Sequence, residues 1–254
     1  MMKNITEKLS KFQPKKSKGV ETFYCFSPLI MIITFVIEIL LAIYTFIKSR
    51  KAKSDVGIVV TLVFLAIFQL SEYQICEGSA SELLFWSRVG LFAITFLPVI
   101  GYYLISRLKK EAHLLKFSFF MAIAFAAFFA LIPTSVQGVT CGGNYIIFDI
   151  QTSIHSLYGY YYFGFLLLGI WEASKGMRSD SSKRKIKKAL GWLIIGYLSF
   201  ILPLTLVYIF IPITRAAVAS IMCGFAVVFA LILAFKIAPI YHECVKLESK
   251  PKDK

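Results

Sequence analysis

The residues of this chain that could do chemistry are few and stand against an apolar background. Glu38 is the only charged residue in Ser27–Ile47. A charge at the middle of a bilayer costs about 2.5–3.5 kcal/mol on insertion scales, and no Lys or Arg lies at a comparable depth to offset it. Glu38 is therefore either a proton or ligand site, or a hydrogen-bonded carboxyl that glues helices. A second group is split between Gln69-Leu-Ser-Glu-Tyr-Gln-Ile-Cys76 and Glu82-Leu-Leu-Phe-Trp-Ser-Arg88. These stretches end one helix and begin the next across a short turn, so Glu72 and Arg88 are expected at similar depth as a partly desolvated ion pair. That pair is either a clamp on the hairpin or, with Gln69, Tyr73 and Trp86, the polar floor of a ligand pocket.

Cys76 and Cys141 fall on the same side of the expected topology, outside, where thiols tend to pair. A Cys76–Cys141 disulfide is expected, with Cys25 as a rival partner. Cys223 reads as a packing residue, and Cys244 occupies a juxtamembrane position that permits acylation. Arg178, Lys183, Arg184, Lys185, Lys187 and Lys188 crowd one connection. Each such charge near a membrane surface is worth about 1 kcal/mol of attraction to anionic lipid, so this segment should contact the inner leaflet or an acidic partner. The sequence contains no Walker loop, dinucleotide fingerprint, HExxH or CxxC, and His113, His155 and His242 are too scattered for a zinc spacing. No metal, cofactor or catalytic set is expected.

The elements that must position these residues follow from composition. Of 254 residues, 58% are apolar and 17% charged, with a mean hydropathy of +0.73. A soluble domain carries roughly 25% charged residues; the surplus apolar surface must face lipid. A bilayer core needs about 20 helical residues per crossing. Seven stretches qualify: Ser27–Ile47, Val56–Tyr73, Leu83–Ile105, Leu114–Ile132, His155–Trp171, Ala189–Phe210 and Ile213–Ile237. The expected fold is all-α, a bundle of seven transmembrane helices (27–237), preceded by a basic mobile tail (1–26) and followed by a short cytoplasmic tail (238–254). With the N-terminus outside, 20 of the 28 Lys and Arg fall on the cytoplasmic side, as the positive-inside rule requires. The basic residues of the N-tail run against that rule. The net charge of +14 thus reads as loop charge, without the shared face or motif of a nucleic-acid binder.

Small residues at Ala122, Ala126 and Ala130, and at Ala216, Ser220 and Gly224, suit close helix packing. Tyr158, Tyr160, Tyr161 and Tyr162 read as an interfacial aromatic belt. The longest connections, Pro133–Ile154 and Glu172–Lys188, leave no room for a soluble module of about 100 residues.

The region Phe64–Leu104, with Leu70-Ser-Glu-Tyr, Leu84-Phe-Trp-Ser-Arg88 and Phe96-Leu-Pro98, resembles the hairpin in the seven-helix N-terminal sensor region of bacterial histidine kinases. That resemblance implies a membrane sensor with its N-terminus outside and Trp86, Arg88 and Pro98 in family positions. The long basic N-tail and the lack of a kinase depart from the family pattern, so signalling output would lie in a separate partner. The first expectation is a stand-alone sensor or binding protein of the cell membrane; the second is a small transporter or channel, and the third an intramembrane enzyme.

Overall fold

The computed structural model describes residues 28–49, 56–79, 81–111, 113–141, 146–179, 183–210 and 217–248. The N-tail, Cys25, residues 211–216 with Ala216 of the second small-residue stripe, residues 249–254 and the side chain of Cys244 lie outside the described residues.

The chain runs α1 (Pro28–Ser49), α2 (Val56–Glu77), α3 (Leu83–Lys109), α4 (Leu115–Leu131), β1 (Val136–Cys141), β2 (Ile146–Ile150), α5 (Thr152–Arg178), α6 (Arg184–Phe210) and α7 (Val218–Ile232). From α7 a π-helical turn, Leu233–Ile237, leads without interruption into α8 (Ala238–Glu248). The segment expected as a tail from residue 238 is therefore helical over its first eleven residues. Over the described residues the fold is all-α apart from one antiparallel two-stranded hairpin. That hairpin occupies the connection expected to be loop. Its residues alternate, with Ile146, Phe148 and Ile150 buried and Asp149 exposed, because successive strand side chains point to opposite faces.

Among the described residues five helices are long and apolar enough to cross a bilayer: α1, α2, α3, α6 and the rod from Val218 to Glu243. Helix α4 is apolar but has only 17 residues. Helix α5 has 27, and its tyrosines, His155, Glu172 and Lys175 dilute its apolar character. Large side chains point outward along several helices, among them Leu29, Leu40, Phe120, Leu167 and Phe210. A soluble monomer rarely exposes so extended an apolar surface, whereas lipid covers it at no cost.

Helix α3 is the axis of the bundle. It packs against α2, α4, α5 and α6, and 72% of its most apolar stretch is buried. Its neighbours approach closely where side chains vanish. A Cβ on Gly101 of α3 would overlap the Tyr197 hydroxyl of α6, and one on Gly196 would lie 2.5 Å from the Phe229 ring of α7. The stripe on α4 does less than expected, since Ala122 and Ala126 are buried but Ala130 is exposed.

Candidate functional site

The hairpin caps one end of the bundle and is tied down from three directions. The Cys76–Cys141 disulfide joins the end of α2 to β1. Arg88 of α3 donates from Nη2 to the Pro133 carbonyl at 3.0 Å, and the Gln151 amide donates to the Ser135 carbonyl at 3.2 Å. On its inner face the Phe148 ring lies 5.9 Å from Phe68 of α2. This anchoring turns an outer connection into a fixed roof.

Beneath that roof lies a cavity of about 250 Å3. Phe148 and Ile150 come from the hairpin, Leu91 and Ile94 from α3, and Met222 from α7; His155, Tyr158, Tyr162 and Tyr208 supply polar edges. Among the described residues no Asp, Glu, Lys or Arg lines it. A dry apolar cavity of roughly 150 Å3 already holds benzene, so this one has room for a small neutral molecule. Its aromatic wall is held in place. Tyr158 packs edge-on against Phe129 at 5.0 Å and shares a 3.1 Å hydrogen bond with Thr95 Oγ1. Tyr161 donates to the Thr95 carbonyl at 2.6 Å. Pro98 lies one turn further along α3 and removes the N–H that would bond the Ile94 carbonyl. The belt expected of the tyrosine run is thus corrected: Tyr158, Tyr161 and Tyr162 are 7%, 5% and 5% exposed, and only Tyr160, at 79%, faces outward. Together with Phe165 they recur every three or four residues, the spacing of one helix face turned to the core.

The second polar feature is a carboxyl cluster where α1, α2 and α7 meet. Glu38 is fully buried, and neither of its oxygens has a hydrogen-bond partner. Glu72 and Ser220 are each 1% exposed; Glu72 Oε1 and Ser220 Oγ are likewise without a partner. The two carboxyls interact electrostatically, and Ser220 faces Glu72. Gln69, one turn before Glu72, donates from Nε2 to the Cys223 carbonyl at 3.1 Å. That contact shows which face of α2 meets α7.

The expected Glu72–Arg88 ion pair is not formed. Glu72 shares the Gln69 face and points to α7, while Arg88 turns the other way, to the loop before β1. Similar depth places two residues at one level but leaves their azimuth around each helix free. The five residues considered as one pocket floor are accordingly dispersed. Gln69 and Glu72 belong to the carboxyl cluster, and Tyr73 is half-buried against the core. Trp86 donates to Glu82 Oε2 at 3.4 Å near the surface, and Arg88 braces the roof. None of them lines the cavity.

At the opposite end, Lys109 bridges Glu172 of α5 and, at 2.9 Å, Glu111. Its ammonium holds the exposed Glu111 carboxyl below the usual carboxylate range. Lys185 pairs with Glu243 at 2.8 Å, tying α6 to α8. Arg178, Lys183, Arg184 and Lys188 are exposed and Lys187 is half-buried, leaving a basic rim. Among the described residues no group of three or more His, Cys, Asp or Glu side chains could hold a metal ion.

The cavity was missed in the sequence because its roof reads as loop. The available signal was the short apolar, β-branched run Ile146–Ile150. No family model, curated protein or solved structure matches this chain.

Proposed function

We propose that this chain is a seven-helix protein of the cell membrane that binds a small, neutral, mainly apolar molecule in the roofed cavity and passes its occupancy to a separate cytoplasmic partner. The observation that carries this reading is the cavity itself, aromatic, lined by no Asp, Glu, Lys or Arg among the described residues, and roofed by a disulfide-tethered hairpin. Ligand sites are concave and mostly apolar with a few convergent polar groups, as here. In this reading α4 and α5 also cross the bilayer, the hairpin faces outward, and the basic rim lies against anionic lipid or the partner. The charge asymmetry supports that orientation. The resemblance to kinase sensor regions supports a sensing role, with Arg88 bracing the roof and Pro98 one turn from the cavity wall.

Equilibrium dialysis of the purified protein against indole, a neutral bicyclic probe with one N–H donor, tests the reading. Saturable binding of one indole per chain is the expected result. No binding of indole or of octanol by folded protein would refute it. A small transporter is the second reading, favoured by the unpartnered carboxyls in the helical core; solute flux in proteoliposomes would select it over a sensor.

A further inference from the structure

We infer that Glu38, Glu72 and Ser220 form a site within the helical core for a monovalent alkali cation, with Na+ as the ion tested. The inference does not rest on the roofed cavity as a ligand site, and it holds whether or not the ion crosses the membrane. Four oxygens in this cluster lack a hydrogen-bond partner: both of Glu38, Oε1 of Glu72 and Oγ of Ser220. Buried polar groups are nearly always satisfied, and an exception calls for a cause. Three of the four are carboxyl oxygens, so what the cluster lacks is a positive centre. Neither carboxyl makes an ion pair among the described residues. The other groups facing it are Cys223, which interacts electrostatically with both carboxyls, and Gln69. Gln69 commits its amide nitrogen to the Cys223 carbonyl, which leaves its amide oxygen as a further acceptor.

The geometry agrees. The Gln69–Cys223 bond sets the antiparallel register of α2 and α7, so Glu72 and Ser220, each three residues nearer the hairpin end, lie across from one another, and Glu38 enters from α1, which packs against both helices. Ser220 is in the first turn of α7, at the same end. Three helices thus deliver hard oxygen donors to one buried place. Oxygen-only donor sets suit alkali and alkaline-earth ions rather than softer metals. Mg2+ keeps several of its waters and would need a roomier polar space than side chains at most 1% exposed provide. One Na+ and one retained proton leave the two carboxyls neutral overall.

The experiment is equilibrium binding of radioactive Na+ to the purified full-length protein, with thermal midpoints recorded in NaCl and in choline chloride at equal ionic strength. Saturable Na+ binding and a higher midpoint in NaCl are expected, with affinity at least tenfold weaker in Glu38→Gln, Glu72→Gln and Ser220→Ala. Ser220→Ala keeps both carboxyls and carries the test if either glutamine variant fails to fold. Gly159→Phe, at a glycine of α5 that lines the roofed cavity, should bind Na+ normally, separating this site from that one. No saturable Na+ binding, unchanged affinity in all three variants, tighter binding of Ca2+ than of Na+, or a midpoint that follows pH alone would each overturn the inference.

Discussion

Gly159→Phe fills the cavity from its own wall. Gly159 lines the space on α5, and a Cβ built there meets no heavy atom within 4 Å, so the first carbon of a new side chain displaces no neighbour. A phenyl ring has about the bulk of benzene, for which roughly 150 Å3 suffices; it would take more than half of the cavity's 250 Å3. A bound molecule displaced by it loses the burial of about one ring, some 150 Å2. At about 25 cal/mol per Å2 that is about 4 kcal/mol. With about 1.4 kcal/mol per decade, the dissociation constant for indole should rise by two to three decades. Dialysis reads the affinity and a thermal midpoint reads the fold, which should be unchanged or stabilised, since cavity filling commonly adds about 0.5–2 kcal/mol. A folded variant that binds indole within threefold of the parent protein would refute the placement of the ligand.

Four further outcomes are expected. Replacing Cys76 and Cys141 by serine opens a cross-link spanning 65 residues and should cost about 2–4 kcal/mol while weakening indole binding, because Phe148 and Ile150 lose their anchor; an unchanged midpoint and affinity would contradict this. Glu72→Gln and Arg88→Gln should destabilise additively to within about 0.5 kcal/mol, as they share no contact, whereas Glu38→Gln and Glu72→Gln should not; a double-mutant cycle for each pair decides. Gly101→Ala should cost about 1–3 kcal/mol by overpacking, and adding Tyr197→Phe should recover most of it by removing the overlapped hydroxyl, which has no partner of its own; failure of that rescue in thermal melts would reject the contact. In intact cells a thiol reagent should label Gln137→Cys, exposed on the hairpin, and spare Ser181→Cys, with the reverse pattern inverting the proposed orientation.

What the sequence determined by itself was the kind of solvent and the one-dimensional order of the elements. Apolar runs such as Val56–Tyr73 and Leu83–Ile105 specify helices for lipid wherever they pack, because a backbone in hydrocarbon must bond to itself. The helices begin within five residues of where those runs do, and basic residues extend several of them: α3 ends at Lys109 rather than Ile105, and α6 starts at Arg184 rather than Ala189. Depth was legible as well, which is why Glu38 stood out. Azimuth was not. Whether Glu72 meets Arg88 or Glu38, and whether Tyr158 faces lipid or the core, depends on how each helix is rotated about its axis, and that is set by contacts between residues far apart in the chain. Gly101 against Tyr197 and Gln69 against Cys223 are such contacts. The hairpin was decided the same way. Its strands are short, and an isolated two-stranded pair is marginal in water; it becomes a roof only because Cys76, Arg88 and Phe68, from two other helices, are there to hold it.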